Sequence, residues 1–174
     1  VADAIAPKTG KLVAFSFRLF SLPFSLGLAQ VTIGKKVGFV DRAGQLAIPP
    51  RFEPFGHFFT EAPKAFHEGL AAVMENRMVG YVSTKGEMAI EPQYTFGGPF
   101  SCGLAAVYVG GTLDDSLLGQ TPKGGKFGYI DKLGKMVLRP AYDTARDFDR
   151  GLAWVSSGGA RRLINTRGQV VWPK

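Results

Sequence analysis

A motif of the form Phe-x-x-Gly-Leu-Ala-x-Val occurs four times in this chain and limits its possible folds more than any other feature. The four copies lie at residues 24–31, 66–73, 100–107 and 148–155. A second motif, Gly-aromatic-aliphatic-x-x-x-Gly, begins at Gly38, Gly80 and Gly128, and a worn copy begins at Arg162. A third motif, Pro-x-aromatic, begins at Pro50, Pro92 and Pro140. Motifs that recur in one order indicate an array of repeats.

The spacing of these motifs defines the repeat unit, which is about 34 residues long and lies within the range typical of repeat proteins. Equivalent positions fall at 4, 38, 80, 128 and 162, so the successive steps are 34, 42, 48 and 34. The two longer steps contain insertions: a first insertion of eight residues between Phe52 and Phe66, and a second insertion of fourteen between Val107 and Gly128. We expect one domain over residues 1–174. It divides into a partial first repeat at 1–23 and repeats at about 24–65, 66–99, 100–147 and 148–174.

Each repeat contains the pattern of three short strands. The first strand is Gly-Leu-Ala-x-Val, the second is x-Gly-aromatic-aliphatic, and the third follows the second glycine. In the third strand of one repeat, Leu46 and Ile48 alternate with Gln45 and Ala47, which is the period of a strand with one apolar face. The link before this strand is a polar residue followed three positions later by Gly, as suits a hairpin turn with one positive φ.

A three-stranded unit with an apolar face must stack on a neighbour to bury that face. The sequence therefore predicts an all-β fold of tandem three-stranded antiparallel meanders in an open twisted stack. The alternative is a small propeller-like ring. The phenylalanines that begin the first motif are expected to plug the space between neighbouring units: Phe24, Phe66, Phe100 and Phe148.

The composition fits short strands joined by turns, because the chain has 23 glycines and 11 prolines. No run of about 18 apolar residues is present, so we expect no transmembrane segment. Cys102 is the single cysteine, which excludes an intramolecular disulfide and is compatible with a reducing or an oxidising compartment. Because the chain begins at Val1, a removed export signal is plausible, and we favour an exported or periplasmic location over the cytoplasm.

The best-preserved copies resemble a known family. They are Lys126-Phe127-Gly128-Tyr129-Ile130-Asp131-Lys132-Leu133-Gly134-Lys135, Pro140-Ala141-Tyr142-Asp143 and Phe100-Ser101-Cys102-Gly103-Leu104-Ala105-Ala106-Val107. This pattern is similar to the bacterial WG repeats, also called KWG repeats, from about Ala4 to Trp172. The tryptophan that names the family is replaced here by Val37, Val79, Phe127 and Arg161. The resemblance implies a β-repeat scaffold of bacterial origin.

The sequence offers no convincing catalytic or metal-binding constellation. Its two histidines, His57 and His67, lack metal-ligand spacing. Residues 119–126 imitate a phosphate-binding loop, but Phe127 replaces the required Ser or Thr and a strand follows instead of a helix. Asp143, Asp147 and Asp149 form the densest acidic cluster. Because Asp143 occupies a repeat position before a turn, turn capping is the preferred interpretation, with calcium binding as the alternative. We therefore expect a non-enzymatic protein without metal or cofactor.

The two insertions are the better candidates for a binding site, because the repeat does not require them and function often lies in loops carried by a scaffold. The candidate partner-binding residues are Phe55, His57, Phe58, Phe59, Leu117 and Leu118. The alternative is that the aromatic residues of the first insertion fold back to fill a gap in the core. The second insertion is expected to form a flexible arm or a partner-binding loop.

The net charge of +7 supports a second hypothesis, anion binding at a basic C-terminal surface. Its candidate residues are Arg161, Arg162 and Arg167. These charges are scattered among turns, so nucleic acid is not expected as a partner. We expect an interaction module of an exported or envelope-associated bacterial protein, which binds another protein or a cell-envelope polymer. An inhibitor or immunity role against a toxin is a further alternative.

Overall fold

The computed structural model describes residues 24–54, 65–116 and 119–173, and the regular elements in these ranges are β-strands. The strands are β1 (Leu28–Ile33), β2 (Lys36–Asp41), β3 (Leu46–Phe52), β4 (Leu70–Glu75), β5 (Met78–Ser83), β6 (Met88–Tyr94), β7 (Phe96–Gly97), β8 (Leu104–Val109), β9 (Thr112–Ser116), β10 (Gly119–Lys123), β11 (Lys126–Asp131), β12 (Met136–Tyr142), β13 (Thr144–Ala145), β14 (Leu152–Ser157), β15 (Ala160–Asn165) and β16 (Val170–Trp172). The all-β prediction is confirmed. Within the described ranges, no helix is long and apolar enough to span a membrane.

The strands form four sheets, one per repeat, in which all neighbours are antiparallel. The first sheet has the order β1-β2-β3 and the second β4-β5-β6. The third has the order β12-β11-β8-β7 and the fourth β13-β14-β15-β16. Strands β9 and β10 form a separate hairpin. The predicted tandem meanders are therefore present, with an added short strand in the third and fourth sheets.

The added strands come from the end of the preceding repeat. In β7, Phe96 pairs with Tyr108 and Gly97 with Val107 of β8. Strand β13 pairs with β14 in the same manner. At the corresponding place in the second sheet, the Glu53 amide donates to the Met74 carbonyl at 2.8 Å. Main-chain hydrogen bonds therefore tie each sheet to the repeat before it.

The hairpin turns confirm the predicted use of glycine. Gly44, at the fourth position of its turn, has a φ of 75°, which glycine adopts without steric cost. The Asp41 carboxylate accepts hydrogen bonds from the amides of Ala43 and Gln45, both at 2.9 Å. The polar residue that starts the motif therefore satisfies the amides inside the turn.

A second kind of turn precedes the first strand of every repeat. Cys102 and Gly103 both have positive φ, 53° and 77°, and Ser101 and Leu104 exchange two main-chain hydrogen bonds across them. These are features of the tight type I′ hairpin. Successive turns are linked, because the Cys102 sulfur accepts from the Gly151 amide at 3.3 Å and the Glu68 carboxylate accepts from the Gly103 amide at 3.1 Å.

Glu68 holds this ladder of turns together by its charge. Partial burial raises the pKa of its carboxyl, but hydrogen bonds from Lys132 and from the Gly103 amide outweigh that effect and hold the pKa below its ordinary value. The Lys132 ammonium lies 3.0 Å from the carboxylate. The turn of the second sheet is thus bonded both to the turn and to the β11–β12 hairpin of the third.

The core lies between consecutive sheets, and the first strands of the second and third repeats each contribute to two core clusters. In β8, Ala105 and Val107 face the second sheet, whereas Leu104 and Ala106 face the fourth. This explains why the strand is a nearly continuous apolar run. Since each cluster joins neighbouring repeats, the described residues form a stack in chain order and no closed barrel.

Three of the four predicted plugs are buried. Phe66, Phe100 and Phe148 are at most 2% exposed, and each contacts an aromatic ring of the preceding sheet at 4.8–5.0 Å. Phe24 departs from the prediction because it is 46% exposed. The unit that would supply its aromatic partner falls in residues 1–23, outside the described residues.

Candidate functional site: a groove between the third and fourth sheets

A groove of about 440 Å³ opens between the third and fourth sheets. It is lined by residues of both sheets and of the β9–β10 hairpin: Phe96, Pro122, Phe127, Thr144, Ala145, Arg146, Trp154, Val155 and Arg161. Three of these side chains are aromatic and two are arginines. The groove therefore offers apolar contact area and positive charge together.

The wall on the third sheet consists of packed aromatic rings. The centroid of Phe127 lies 6.1 Å from that of Phe96 and 4.8 Å from that of Tyr108, with both pairs edge to face. Phe127 precedes the glycine of the central strand and also packs against the core cluster between the two sheets. Because Phe127 and Phe96 are only partly buried, they support the groove and still present surface to it.

The wall on the fourth sheet is a tryptophan covered by an arginine. The Arg161 guanidinium lies over the Trp154 ring at 4.3 Å from its centroid. The register of β14 and β15 pairs Ser156 with Arg161 and Trp154 with Leu163, so Arg161 and Trp154 are diagonal neighbours on one face. A guanidinium stacked in this way is held in place and can still donate through its edge.

Trp172 packs beside Trp154 on the same face of the fourth sheet. Its ring contacts Trp154 edge to face, with centroids 5.6 Å apart. Trp172 is 58% exposed and lies in β16 at the edge of the fourth sheet. The two tryptophans and Arg161 therefore form one continuous layer on the outer face of this sheet.

The charge of the groove is positive. Arg146 and Arg161 line it, and its described lining includes no carboxylate. Within the described ranges, neither arginine is in an ion pair. The neighbouring Asp147 has its carboxyl pKa raised by desolvation, against the opposing charges of His67 and Arg146. Arg161 is thus available to an anionic ligand, whereas the charge of Arg146 also acts on the neighbouring Asp147.

Arg146 is anchored through its main chain. Its carbonyl accepts a hydrogen bond from the Tyr129 hydroxyl at 2.7 Å. Burial raises the pKa of Tyr129 well above its ordinary value, so this hydroxyl is a neutral donor at physiological pH. An equivalent bond, from Tyr81 to the Gly98 carbonyl at 2.8 Å, joins the second and third sheets.

The second insertion forms the third wall as the β9–β10 hairpin. Its base is fixed, because the Gly125 amide donates to the Tyr108 hydroxyl at 2.9 Å and Thr95 donates to the Gly110 carbonyl at 3.0 Å. Leu113 of β9 packs against the core between the second and third sheets, whereas Pro122 of β10 faces the groove. Leu113 and Pro122 are direct cross-strand partners, so one face of the hairpin supplies both contacts.

Two substitutions between repeats distinguish this junction from the one between the second and third sheets. At the equivalent place between the second and third sheets, a Cβ added to Gly97 would lie 2.6 Å from the Tyr81 hydroxyl and 2.9 Å from Val79. The fourth sheet has Ala145 at this position, and the third has Phe127 in place of Val79. Larger side chains therefore occupy both positions at this junction, and both Ala145 and Phe127 line the groove.

The predicted anion-binding residues do not all lie at this groove. Arg161 is part of it, but Arg162, which pairs with Val155, and Arg167, in the exposed β15–β16 turn, are not among the lining residues. The predicted partner-binding residues lie outside the described residues: Phe55, His57, Phe58, Phe59, Leu117 and Leu118.

Two of the three acidic residues named in the sequence analysis, Asp143 and Asp149, lie at turns. The pKa of Asp143 is lowered by a hydrogen bond from Lys126 and by another from the Gly158 amide, the latter at 2.7 Å. Asp149 begins the turn before β14. Among the residues that the structure describes, no cluster of three or more His, Cys, Asp or Glu side chains has the geometry to hold a metal ion.

Sequence reasoning missed Phe96, Phe127 and Trp154 as site residues, although the repeat itself contained a signal. Trp154 occupies the position of Gln30, Ala72 and Ala106 in the other repeats. A large aromatic side chain in a slot that is otherwise small or polar marks a local departure from the scaffold. The same comparison identifies Phe127, since the equivalent residues are Val37 and Val79.

The family model of the WG containing repeat matches the chain three times, at residues 38–77, 80–112 and 127–159. Each match begins in the central strand of a repeat, in β2, β5 and β11. Together the matches cover more than half of the chain. No curated protein and no solved structure shows a significant match.

Proposed function

Because the chain belongs to the WG containing repeat family, we propose that it is a non-catalytic interaction module and that the groove between the third and fourth sheets is its contact site for a partner protein. The observation that carries this proposal is the convergence of Phe127, Trp154 and Arg161 at one groove. Exposed aromatic residues and arginine are the side chains most enriched in the energetic centres of protein interfaces.

The structural use of the repeated residues supports a non-catalytic function. The phenylalanine plugs fill the core, the aspartates cap turns, and the glycine of each central strand lies against a main-chain carbonyl. These are roles in folding. The residues that depart from the repeat pattern, by contrast, meet at the groove. A scaffold that carries its specificity at departures from the repeat is typical of repeat proteins that bind partners.

Selection from a library of random linear peptides displayed on phage, with the full chain immobilised, tests this proposal. The affinities of the selected peptides for the wild type and for Trp154→Ala would then be measured by calorimetry. Alanine is the residue at the same position in the second and third repeats, so the variant is expected to fold. Loss of the tryptophan should weaken binding about tenfold or more.

Phe24→Ala is the matched control, because Phe24 is also an exposed aromatic residue under an arginine, in this case Arg42 at 5.9 Å, and it lies at the other end of the stack. Its affinity for the selected peptides should equal that of the wild type. Selected peptides that bind Trp154→Ala as tightly as the wild type would place the contact site elsewhere and overturn the proposal.

The identity of the partner and its location are predictions from the sequence. A cell-envelope polymer is the alternative ligand, and enrichment of no peptide over a blank surface would favour it over a protein. An exported or envelope-associated bacterial setting is likewise part of the proposal, and fractionation of the source cells checks it.

A further inference from the structure

We infer that the groove takes an acidic peptide segment anchored by one aromatic side chain, and this inference rests on the proposed function. The aromatic anchor would lie among Phe96, Phe127 and Trp154, while a neighbouring carboxylate of the segment pairs with Arg161 or Arg146. The ligand class follows from what lines the groove, from its excess of positive charge, and from the stacking of Arg161.

The apolar part of the groove fits a ring. Phe96 and Phe127 meet edge to face at 6.1 Å, and Trp154 lines the groove from the fourth sheet. Aromatic rings favour edge-to-face and offset contacts with one another, which add to the free energy gained by burying their area. The groove volume of about 440 Å³ exceeds that of one side chain, so a ring and its flanking residues can occupy it together.

The charged part of the groove selects an anion. Arg146 and Arg161 line the groove and none of its described lining residues is a carboxylate; Asp147 beside Arg146 offsets part of that charge, so Arg161 is the principal anion-binding group. The Arg161 guanidinium is already ordered on Trp154 at 4.3 Å, so a carboxylate that binds its edge restricts little further motion. Charge-assisted bonds of this kind, in which arginine presents a planar fork of donors, are about twice as strong as neutral ones.

The combination of aromatic walls and arginines favours a peptide segment over simpler ligands. A free inorganic anion would pair with the arginines but leave the aromatic walls in water. A neutral polymer would cover the walls but leave both guanidinium groups without counterions as it displaced their water, which costs free energy. A peptide segment with acidic residues on either side of an aromatic residue satisfies both parts of the groove.

Four pools of synthetic hexapeptides, each carrying a neutral fluorophore, test this assignment. The first contains Asp, Glu and aromatic residues, the second replaces the acids by Asn and Gln, the third replaces the aromatic residues by Ala, and the fourth replaces the acids by Lys and Arg. Fluorescence anisotropy with the full chain should show the first pool binding about tenfold or more tightly than each of the others. Its affinity should fall as ionic strength rises.

Arg161→Gln, with Arg167→Gln as the matched control, locates the acid preference. Arg161→Gln should reduce the difference between the acidic and the amide pools to about threefold or less, whereas Arg167→Gln should leave it unchanged. Inorganic phosphate serves as competitor. Displacement of the acidic pool by phosphate as effectively as by unlabelled peptide would reduce the groove to an anion site and overturn the inference.

The outcomes separate this inference from the proposed function. If peptides selected from the random library bind in a manner that depends on Trp154, but the amide pool binds as tightly as the acidic pool, the interaction site stands and the acidic ligand is wrong. If the binding of every peptide from the pools and the library is independent of Trp154, both the proposed contact site and its ligand class are wrong.

Discussion

Three of the phenylalanines that begin a repeat, Phe66, Phe100 and Phe148, fill the space between one sheet and the next. Phe100 contacts Tyr81 at 4.9 Å and is buried in the core cluster between the second and third sheets. Tyr81 in turn donates to the Gly98 carbonyl, just before the plug. The Tyr81 side chain therefore takes part both in the apolar core and in the hydrogen bonds that join neighbouring repeats.

Replacing Phe100 by alanine should cost about 3–5 kcal/mol of unfolding free energy, because it deletes a buried ring and leaves a cavity between two sheets. Urea denaturation followed by circular dichroism measures the change. Phe24→Ala is the control, since Phe24 is 46% exposed, and it should change stability by less than about 1 kcal/mol. Equal effects of the two substitutions would contradict a special role for the buried plugs.

The period of the sequence was sufficient to predict Phe66, Phe100 and Phe148 as buried residues, because each begins a repeat that stacks on a preceding sheet. It could not predict that Trp154 and Phe127 share a groove, since they belong to different sheets and their approach depends on how those sheets pack. A repeat pattern records what the copies have in common. The site lies where they differ, and the distance between differing residues is set by tertiary packing.

At the scale of elements, the glycine of the central strand allows an irregular pairing with the third strand. Val79 pairs with Tyr94 and Tyr81 with Ile90, so two steps along β5 correspond to four along β6. Gly80 lies at this bulge. A Cβ at this position would lie 2.5 Å from the Ile90 carbonyl oxygen and 2.7 Å from the Pro92 nitrogen.

Gly80→Ala should therefore destabilise the protein by about 3 kcal/mol or more, at the upper end of overpacking effects, because the added methyl meets main-chain atoms that cannot rotate away. Thermal and urea melts measure the loss. Ala89→Val adds carbon atoms to an exposed position of the adjacent β6 and should stay within about 0.5 kcal/mol of the wild type. A stable Gly80→Ala protein would show that the bulge tolerates a wider spacing.

The three-stranded meander was predictable because strand alternation and turn glycines are local properties. Strands β7 and β13 were not, since each has only two residues and pairs with a strand of the next repeat. The second insertion was recognised as an interruption, but its folding into the β9–β10 hairpin depends on bonds to distant residues such as Tyr108 and Thr95. Tertiary contacts of this kind produce no periodic pattern in the sequence.

At the scale of the whole molecule, the sheets differ in how many of their faces are covered. The second and third sheets pack against a neighbour on both faces. The fourth packs on one face against the third, while Leu152, Val170 and Trp172 are 37%, 42% and 58% exposed. In a stack, the free energy of unfolding is approximately the sum of the intrinsic stabilities of the repeats and of the interfaces between neighbours. The fourth sheet has one such interface, so we expect it to be less stable than the second and third.

Native-state hydrogen exchange should reveal this gradient at equivalent positions of the central strands. The amides of Tyr81 and Tyr129 lie in strands whose side chains are fully buried at these residues, whereas Leu163, at the same position of the fourth repeat, is only partly buried. After correction for intrinsic rates, the Leu163 amide should exchange faster than the other two, because the fourth sheet can open without exposing the core between the second and third. Equal protection at all three positions would mean that the stack opens only as a single unit.

A peptide that occupies the groove should slow exchange at Leu163 more than at Tyr81, because it adds contacts to β14 and β15.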